Sequence, residues 1–295
     1  SQRVAILFTG QGSQTLGMGR RLTETYPVFA AAFNEIADAF DAHLEEPLRS
    51  VLFAERGSAE AERLHQPRYT QPALFAIEAA LYALWQSIGV RPAYLLGHSI
   101  GELTAAYVSG VFSLDDVVRV VAARGQLMQG CESGGVMVSL EATEDEVRTQ
   151  LQVSSGRVDI AGLNGPSQTV ISGTGADVDK LAAYFEAQGR KTTKLEVSHA
   201  FHSPHMDSML DDFRAVLETC RFGPPTIPVV SNVTGTVAAD NELMSVDYWV
   251  QHVRGAVRFV DGMATLHEAG IDTYLECGPR GVLSAMGARC LPEES

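Results

Sequence analysis

A serine flanked by glycines is the residue of this chain whose surroundings best suit nucleophilic chemistry. The stretch Gly97-His98-Ser99-Ile100-Gly101 has the pattern G-x-S-x-G, which is typical of a serine on a tight turn between a strand and a helix. Glycine suits both flanks because such a turn brings neighbouring backbones too close for a Cβ atom. N–H groups at the start of the helix lie near the serine and can stabilise an oxyanion. The pattern therefore predicts a nucleophilic serine.

The residues on either side of this turn have the required periodicities. An apolar run over 93–96 predicts a buried strand, and Leu103, Ala106, Tyr107 and Val111 follow at helical spacing. A position between a strand and a helix separates this pattern from a chance glycine-rich turn with an idle serine.

A serine hydroxyl is a weak nucleophile at neutral pH, so it needs a base within hydrogen-bond reach. His98 adjoins the serine, but neighbours at a sharp turn seldom face each other, and we expect it to steady the turn. His43 and His65 lie in polar stretches typical of the surface. The residue pattern leaves these candidates open: His199, His202, His205, His252 and His267.

A second glycine-rich loop follows the first predicted strand, at 4–8. It reads Thr9-Gly-Gln-Gly-Ser-Gln14, and such a loop can turn its backbone N–H groups toward an anion. The lysine of GxxxxGK[ST] and the spacing of GxGxxG are both missing. We therefore expect an oxyanion-binding loop rather than a nucleotide site, with a plain strand-to-helix connection as the alternative.

The composition is that of an ordinary globular protein, with 45% apolar residues and a net charge of −14. The acidic balance argues against nucleic-acid binding and against docking on anionic membranes. No apolar run approaches the ~20 residues of a membrane span, and no signal-peptide pattern opens the sequence. The four cysteines lack metal-binding spacing, which favours reduced thiols, no metal site and a cytoplasmic location. The first residue, Ser1 rather than Met, is compatible with an excised piece of a longer chain.

The order of predicted elements indicates an α/β fold with an insertion. A large α/β-hydrolase-like subdomain, with a parallel sheet and the nucleophile elbow, is predicted over 1–131 and 199–295. Between these segments the order β-α-β-β-α-β predicts a small ferredoxin-like α+β subdomain over 132–198.

Further helices are predicted from apolar spacing. One helical pattern covers 22–53, another runs from Ala73 to about 88 with Pro72 at its start, and a third runs over 207–220. A pattern over 248–269 is interrupted near Gly255.

Short motifs along nearly the whole chain carry a joint resemblance. In order they are Thr9-Gly-Gln-Gly-Ser-Gln14, Thr70-Gln-Pro-Ala73, Gly97-His-Ser-Ile-Gly101, Arg124-Gly125, Asn164 with Pro166, Val170-Ile-Ser-Gly173, His199-Ala-Phe-His202, Tyr248-Trp249 and Glu276-x-Gly-Pro279. Together they resemble the malonyl-CoA:acyl carrier protein acyltransferases, and most closely the malonyl-type acyltransferase domains of polyketide synthases.

The resemblance implies a role for each matching residue. Ser99 becomes acylated by the CoA thioester, and His202 takes the serine proton and later activates the carrier-protein thiol. Backbone N–H groups of Gln11 and Ile100 form the oxyanion hole. Arg124 pairs with the free carboxylate of a malonyl group, a role that suits the planar guanidinium fork.

Further substrate-side residues implied by the resemblance are Gln71, His98, His199 and Phe201. The base is oriented by a backbone carbonyl rather than by an acid, and His252 occupies that position. Malonyl-CoA enters as a substrate, and no bound cofactor is implied. The implied partners are an acyl carrier protein and neighbouring synthase domains, in polyketide or fatty acid biosynthesis.

The motif His199-Ala200-Phe201-His202 implies a malonyl unit, since methylmalonyl-selective relatives usually carry a YASH-type motif there and a glutamine after the serine. A phenyl ring at 201 leaves less room for an α-methyl branch. One methyl group is worth only ~1–3 kcal/mol of discrimination, so some leakage is expected.

Three functions follow as hypotheses. The first is malonyl transfer from CoA to a carrier-protein phosphopantetheine thiol. The second is an acyl-thioester hydrolase of the same fold that clears carrier proteins, and the third is a catalytically silent docking module. Arg124 favours the first over the second, and an intact set of Ser99, His202 and Arg124 argues against the third.

Overall fold

The structure is a computed structural model that describes residues 3–293, apart from the side chain of residue 240. Its strands are β1 (Val4–Phe8), β2 (Tyr94–Gly97), β3 (Val136–Leu140), β4 (Val158–Gly165), β5 (Gln168–Gly173), β6 (Thr192–Lys194), β7 (Val229–Val230) and β8 (Thr273–Cys277). Its α-helices are α1 (Arg20–Thr25), α2 (Pro27–Asp41), α3 (Leu48–Leu52), α4 (Ala59–Glu62), α5 (Pro67–Ser87), α6 (Ile100–Val108), α7 (Leu114–Gln129), α8 (Glu144–Val153), α9 (Gly175–Glu186), α10 (Leu210–Leu217), α11 (Asp240–Leu243), α12 (Val246–Arg254), α13 (Phe259–Glu268) and α14 (Val282–Ala288). Short 3-10 helices cover Arg63–His65 and Pro204–Met209.

The first sheet is parallel and has the strand order β7-β2-β1-β8. Helices cover both of its faces, so β1 is an almost continuous apolar run. Because side chains alternate along a strand, Ile6 and Phe8 join one core cluster, while Ala5 and Leu7 join another cluster with α13 and α14.

The second sheet is antiparallel and has the order β4-β5-β3-β6. Its connections through α8 and α9 complete the ferredoxin-like arrangement, and it has an apolar core of its own that includes Leu140, Ile171 and Phe185. The predicted fold class is confirmed. The boundaries at 131/132 and 198/199 stay a prediction.

The two sheets are joined through the segment between α12 and α13. Val257 forms a parallel bridge with Gly162 of β4. Its N–H donates to the carbonyl of Ala161 at 2.9 Å, and its carbonyl accepts from the N–H of Leu163 at 2.8 Å. A loop of the first sheet's layer is therefore fixed to an edge strand of the second sheet.

Several predicted helices differ from the structure. The helix predicted from Ala73 begins at Pro67, which occupies the proline-tolerant first position, so Pro72 lies inside α5. The pattern over 22–53 is divided into α1, α2 and α3. Pro27 is the first residue of α2 and Pro47 directly precedes α3, and a proline at either position cannot continue a preceding helix. Among the described residues, no helix has the length and apolar character needed to cross a membrane.

Candidate active site

The serine turn lies at the carboxyl end of β2, directly before α6. Ser99 has φ 56° and ψ −114°, a strained conformation for a residue with a side chain. A Cβ at Gly97 would stand 2.1 Å from the N–H nitrogen of Glu102, and a Cβ at Gly101 would stand 2.1 Å from the carbonyl oxygen of Phe8. The two glycines thus allow the close approach that holds Ser99 at the end of the strand.

His202 is the histidine that the structure brings to the serine. Its Nε2 lies 2.7 Å from Ser99 Oγ, and its Nδ1 lies 2.8 Å from the carbonyl oxygen of Gly255. A carbonyl oxygen only accepts, so Nδ1 carries the proton and Nε2 is free to accept the proton of the serine hydroxyl. The pair has the geometry of a nucleophile and its base.

The surroundings of His202 keep it uncharged. Burial lowers its pKa to about 3, and the positive charge of Arg124 acts in the same direction. At neutral pH the imidazole is therefore a proton acceptor and not an imidazolium.

The predicted role of His252 in orienting the base is wrong, because the carbonyl belongs to Gly255. His252 lies within α12, where carbonyls point along the helix axis. Gly255 follows the last residue of that helix, so no further turn supplies an N–H donor to its carbonyl, which can therefore face His202. His252 is itself buried, with its Nε2 3.6 Å from Glu102 Oε2.

Arg124 extends from α7 to the serine and is only 1% exposed. Its Nη1 donates to Gln71 Oε1 at 2.9 Å and its Nη2 donates to Ser99 Oγ at 3.0 Å, while Nε has no partner. No ion pair with a carboxylate involves Arg124 among the residues that the structure describes. Burial lowers its pKa to about 9, against the raising effect of Glu102. A desolvated guanidinium without an acidic partner favours an anionic ligand.

The two predicted oxyanion-hole residues come from two different elements. Gln11 follows β1, and Ile100 is the first residue of α6, where a backbone N–H has no partner within the helix. Within residues 3–293, neither N–H has a protein acceptor. Both residues line the same cavity as Ser99.

That cavity has a volume of about 910 Å³ and lies between the two sheets. Its walls combine residues of the glycine-rich loop after β1, of β4 and β5, and of α14. The apolar side chains that line it include Met128, Met137, Val170, Leu195, Val197 and Phe201. A few polar groups in a largely apolar, concave wall are typical of a small-molecule site.

The other predicted substrate residues divide into two groups. Gln71, His98 and Phe201 line the cavity, and His98 Nε2 lies 2.9 Å from Asn164 Oδ1. His199 does not line it: the side chain is buried, with Nδ1 2.7 Å from Ser198 Oγ. The predicted substrate contact at His199 is therefore wrong, because three residues before His202 the ring is turned into the protein.

Asn232 is a residue of this site that the sequence analysis missed. It is 1% exposed, and its Oδ1 accepts the Ser99 N–H at 2.9 Å. A signal was present in the apolar pair Val229-Val230, which forms β7 just before Asn232 and pairs in parallel with β2, because the carboxyl ends of parallel strands share one edge with the serine turn.

Comparison with known proteins gives a consistent result. Residues 6–295 match the family model of the acyl transferase domain. The spectinabilin polyketide synthase system protein NorB of Streptomyces orinoci is 49% identical over 99% of this chain, which spans 13% of the length of that relative. The acyltransferase domain from the second module of the salinomycin polyketide synthase has a TM-score of 0.91 at 52% identity, over 99% of this chain and 67% of that structure.

The structure of a transacylase has the same fold. The malonyl-CoA:acyl carrier protein transacylase of Xanthomonas oryzae pv. oryzae superimposes with a TM-score of 0.89 at 34% identity, over 98% of this chain and 92% of that one. With a family match that extends over almost the whole sequence and a serine elbow in the structure, this chain belongs to the acyl transferase domain family.

Proposed function

We propose that this chain transfers a malonyl group from malonyl-CoA to the phosphopantetheine thiol of an acyl carrier protein, through an ester on Ser99. The observation that carries the proposal is Arg124. Its buried guanidinium lacks a carboxylate partner in the described structure and stands 3.0 Å from Ser99 Oγ. An acyl group with its own carboxylate supplies the missing partner when it is attached to the serine.

The first half-reaction forms the ester. Ser99 Oγ attacks the thioester carbonyl while its proton passes to His202 Nε2. The carbonyl oxygen becomes an oxyanion, which the N–H groups of Gln11 and Ile100 stabilise. When the C–S bond breaks, the CoA thiolate takes the proton from His202 and leaves as a thiol.

The second half-reaction runs through the same groups. The carrier thiol gives its proton to His202 Nε2 and attacks the ester carbonyl of acyl-Ser99. The new C–S bond forms, the bond to Oγ breaks, and Ser99 regains the proton. Throughout both steps, the carbonyl of Gly255 holds Nδ1–H and keeps the imidazole in the required tautomer. This chemistry uses no bound cofactor.

The acyl group is oriented by its carboxylate. The Nη2 of Arg124 donates to Ser99 Oγ, and Gln71 Oε1 holds the guanidinium by accepting from Nη1. Lysine would supply the charge without this planar fork.

Selectivity for malonyl over methylmalonyl is proposed to depend on Phe201, whose ring lines the cavity. In a competition between equal amounts of malonyl-CoA and methylmalonyl-CoA, the malonyl adduct should predominate by about 10-fold or more. Phe201→Ser should reduce that preference, and an unchanged preference would remove Phe201 from the selection.

Family membership favours acyl transfer over the hydrolase alternative, and the intact set of Ser99, His202 and Arg124 disfavours a silent docking module. The curated relatives are many times longer than this chain, so we propose that it works as one domain of a synthase. Tethering would then raise the effective concentration of the carrier protein. The cytoplasmic location stays a prediction.

One experiment tests the function. The protein is incubated with malonyl-CoA, its intact mass is recorded, and a carrier protein bearing phosphopantetheine is then added. The expected result is a malonyl adduct that is absent in Ser99→Ala and that moves to the carrier. CoA release without an adduct or transfer would indicate the hydrolase, and neither adduct nor turnover would indicate a docking module.

A further inference from the structure

Asn232 stands at the point where the supports of the nucleophile and of the base meet. Its side chain spans the serine turn: Oδ1 accepts the Ser99 N–H at 2.9 Å, and Nδ2 donates to the Gly97 carbonyl at 2.7 Å. One amide thus holds the backbone on both sides of the strained elbow.

The backbone of Asn232 is connected to the support of the base. Its carbonyl accepts the N–H of Arg258 at 2.9 Å. Arg258 follows Val257, which is bridged to β4, and the same short segment begins with Gly255, whose carbonyl holds His202. The orientation of His202 therefore depends on a segment that Asn232 helps to fix.

Asn232 is itself held by a buried acid. Its N–H donates to Glu102 Oε1 at 2.6 Å, and the Tyr248 hydroxyl donates to the other oxygen of Glu102. That hydroxyl also lies 2.7 Å from Ser231 Oγ, which accepts the N–H of Val233 at 3.0 Å. Asn232, Glu102 and Ser231 are each at most 1% exposed. Such a network of satisfied polar groups in the interior restricts Asn232 to one position.

We propose that Asn232 is a positioning residue that fixes Ser99 and His202 relative to each other, with Glu102 and Tyr248 as its supports. It touches neither the substrate nor the transferred proton. It also occupies the N–H of Ser99, which leaves Gln11 and Ile100 as the donors for the oxyanion.

The proposal rests on the proposed function only in that Ser99 is the nucleophile and His202 its base. Its test therefore uses a probe that needs no malonyl recognition, a fluorophosphonate that phosphonylates an activated serine. The phosphorus–oxygen bond to Oγ forms, fluoride leaves, and the serine proton passes to His202. If the wild-type chain fails to label, the assignment of the nucleophile fails, and not the positioning role alone.

The variants are Asn232→Ala, which removes both side-chain bonds, and Asn232→Asp, which keeps the shape and the acceptor for Ser99 N–H but loses the donor to Gly97. Asn241→Ala, at an exposed asparagine of α11, is the matched control. Circular dichroism and thermal unfolding establish which variants are folded. If Asn232→Ala does not fold, Asn232→Asp decides.

We expect fluorophosphonate labelling to slow by about 100-fold in Asn232→Ala and by about 10-fold in Asn232→Asp, because small displacements of reacting groups cost this much. With malonyl-CoA, kcat for acylation should fall in parallel, while KM stays within about threefold of wild type, since Arg124 and the cavity are untouched. A folded variant that labels at the rate of Asn241→Ala would overturn the proposal. A raised KM with an unchanged kcat would do the same.

Discussion

His202 can act as a base because its surroundings oppose a positive charge. It is buried, it shares the site with the guanidinium of Arg124, and its Nδ1–H is held by the Gly255 carbonyl. No carboxylate is needed to choose the tautomer, since a carbonyl oxygen can only accept and the Nδ1 that faces it must therefore carry the proton. The pair of Ser99 and His202 thus forms a dyad in which a backbone oxygen takes the place usually held by an acid.

This arrangement predicts an unusual pH dependence for the first half-reaction. With the pKa of His202 lowered to about 3 from 6.5, the base stays uncharged in mildly acidic solution. The value of kcat/KM for malonyl-CoA, measured by CoA release between pH 8 and 5 (about the range in which an ordinary histidine titrates), should stay nearly constant. A decline with a midpoint near 6.5 would show that His202 titrates as an exposed histidine does.

Much of the chemistry at this scale was predictable, because the elbow pattern identifies Ser99 and the resemblance identifies His202 and Arg124. The residue pattern alone left five histidines open, since nothing in a sequence states which loop returns to the elbow. The sequence did not predict that the orienting carbonyl belongs to Gly255 rather than to His252. The answer depends on the residue at which α12 ends, because the carbonyl that follows the helix end can bond to His202.

At the scale of elements, the elbow depends on the packing of β1 against the start of α6. The carbonyl of Phe8 approaches Gly101 so closely that a Cβ would stand 2.1 Å away. This contact fixes the separation between the loop after β1, which carries Gln11, and the helix that begins with Ile100. It thereby also fixes the distance between the two backbone N–H groups assigned to the oxyanion.

Gly101→Ala should separate these elements. We expect it to reduce the free energy of unfolding by about 3 kcal/mol, as is typical of overpacking against backbone, and to abolish acylation of Ser99. Urea denaturation and the intact-mass assay measure the two effects. Gly130→Ala is the control, because its Cβ would find no atom closer than 3.5 Å; equal stability of the two variants would contradict the close packing.

The elements themselves were partly predictable. Strands β1 and β2 and the ferredoxin-like order follow from apolar runs and turn residues. The helix containing Pro72 was predicted too short because proline usually marks a first turn, whereas Pro67 already occupies that position in α5. The role of Asn232 depends on which strand ends share an edge, which is a property of the sheet order rather than of local sequence.

At the scale of the whole molecule, the buried histidines connect the site to the stability of the fold. Burial lowers the pKa values of His98, His202 and His252 below 6.5, so the folded state binds fewer protons than the unfolded chain. The stability that comes from keeping them uncharged is fully present above pH 6.5, and it is lost as the pH falls below that value. Burial raises the pKa of Glu102 to about 7, which acts in the opposite direction.

His252 allows this contribution to be isolated, since it neither lines the cavity nor contacts Ser99. Below pH 6.5, the free energy of unfolding of the wild type should fall more steeply than that of His252→Gln, by about 1.4 kcal/mol per pH unit. Urea denaturation from pH 7.5 to 5.5 (about one unit either side of the histidine value) measures both slopes, and Glu102 is common to both proteins. Parallel slopes would mean that His252 is not held uncharged.

In the cavity between the two sheets, Arg124 from α7 contacts the serine of the elbow. The central claim is that this guanidinium recognises the carboxylate of the acyl group. It is tested most directly by the rates of Ser99 acylation with malonyl-CoA and with acetyl-CoA, in the wild type and in Arg124→Ala, with Arg119→Ala on the same helix as the control. We predict that Arg124→Ala loses malonyl acylation by about 100-fold or more, the value of a charge-assisted pair, and retains acetyl acylation far better. An equal loss with both substrates would contradict the claim.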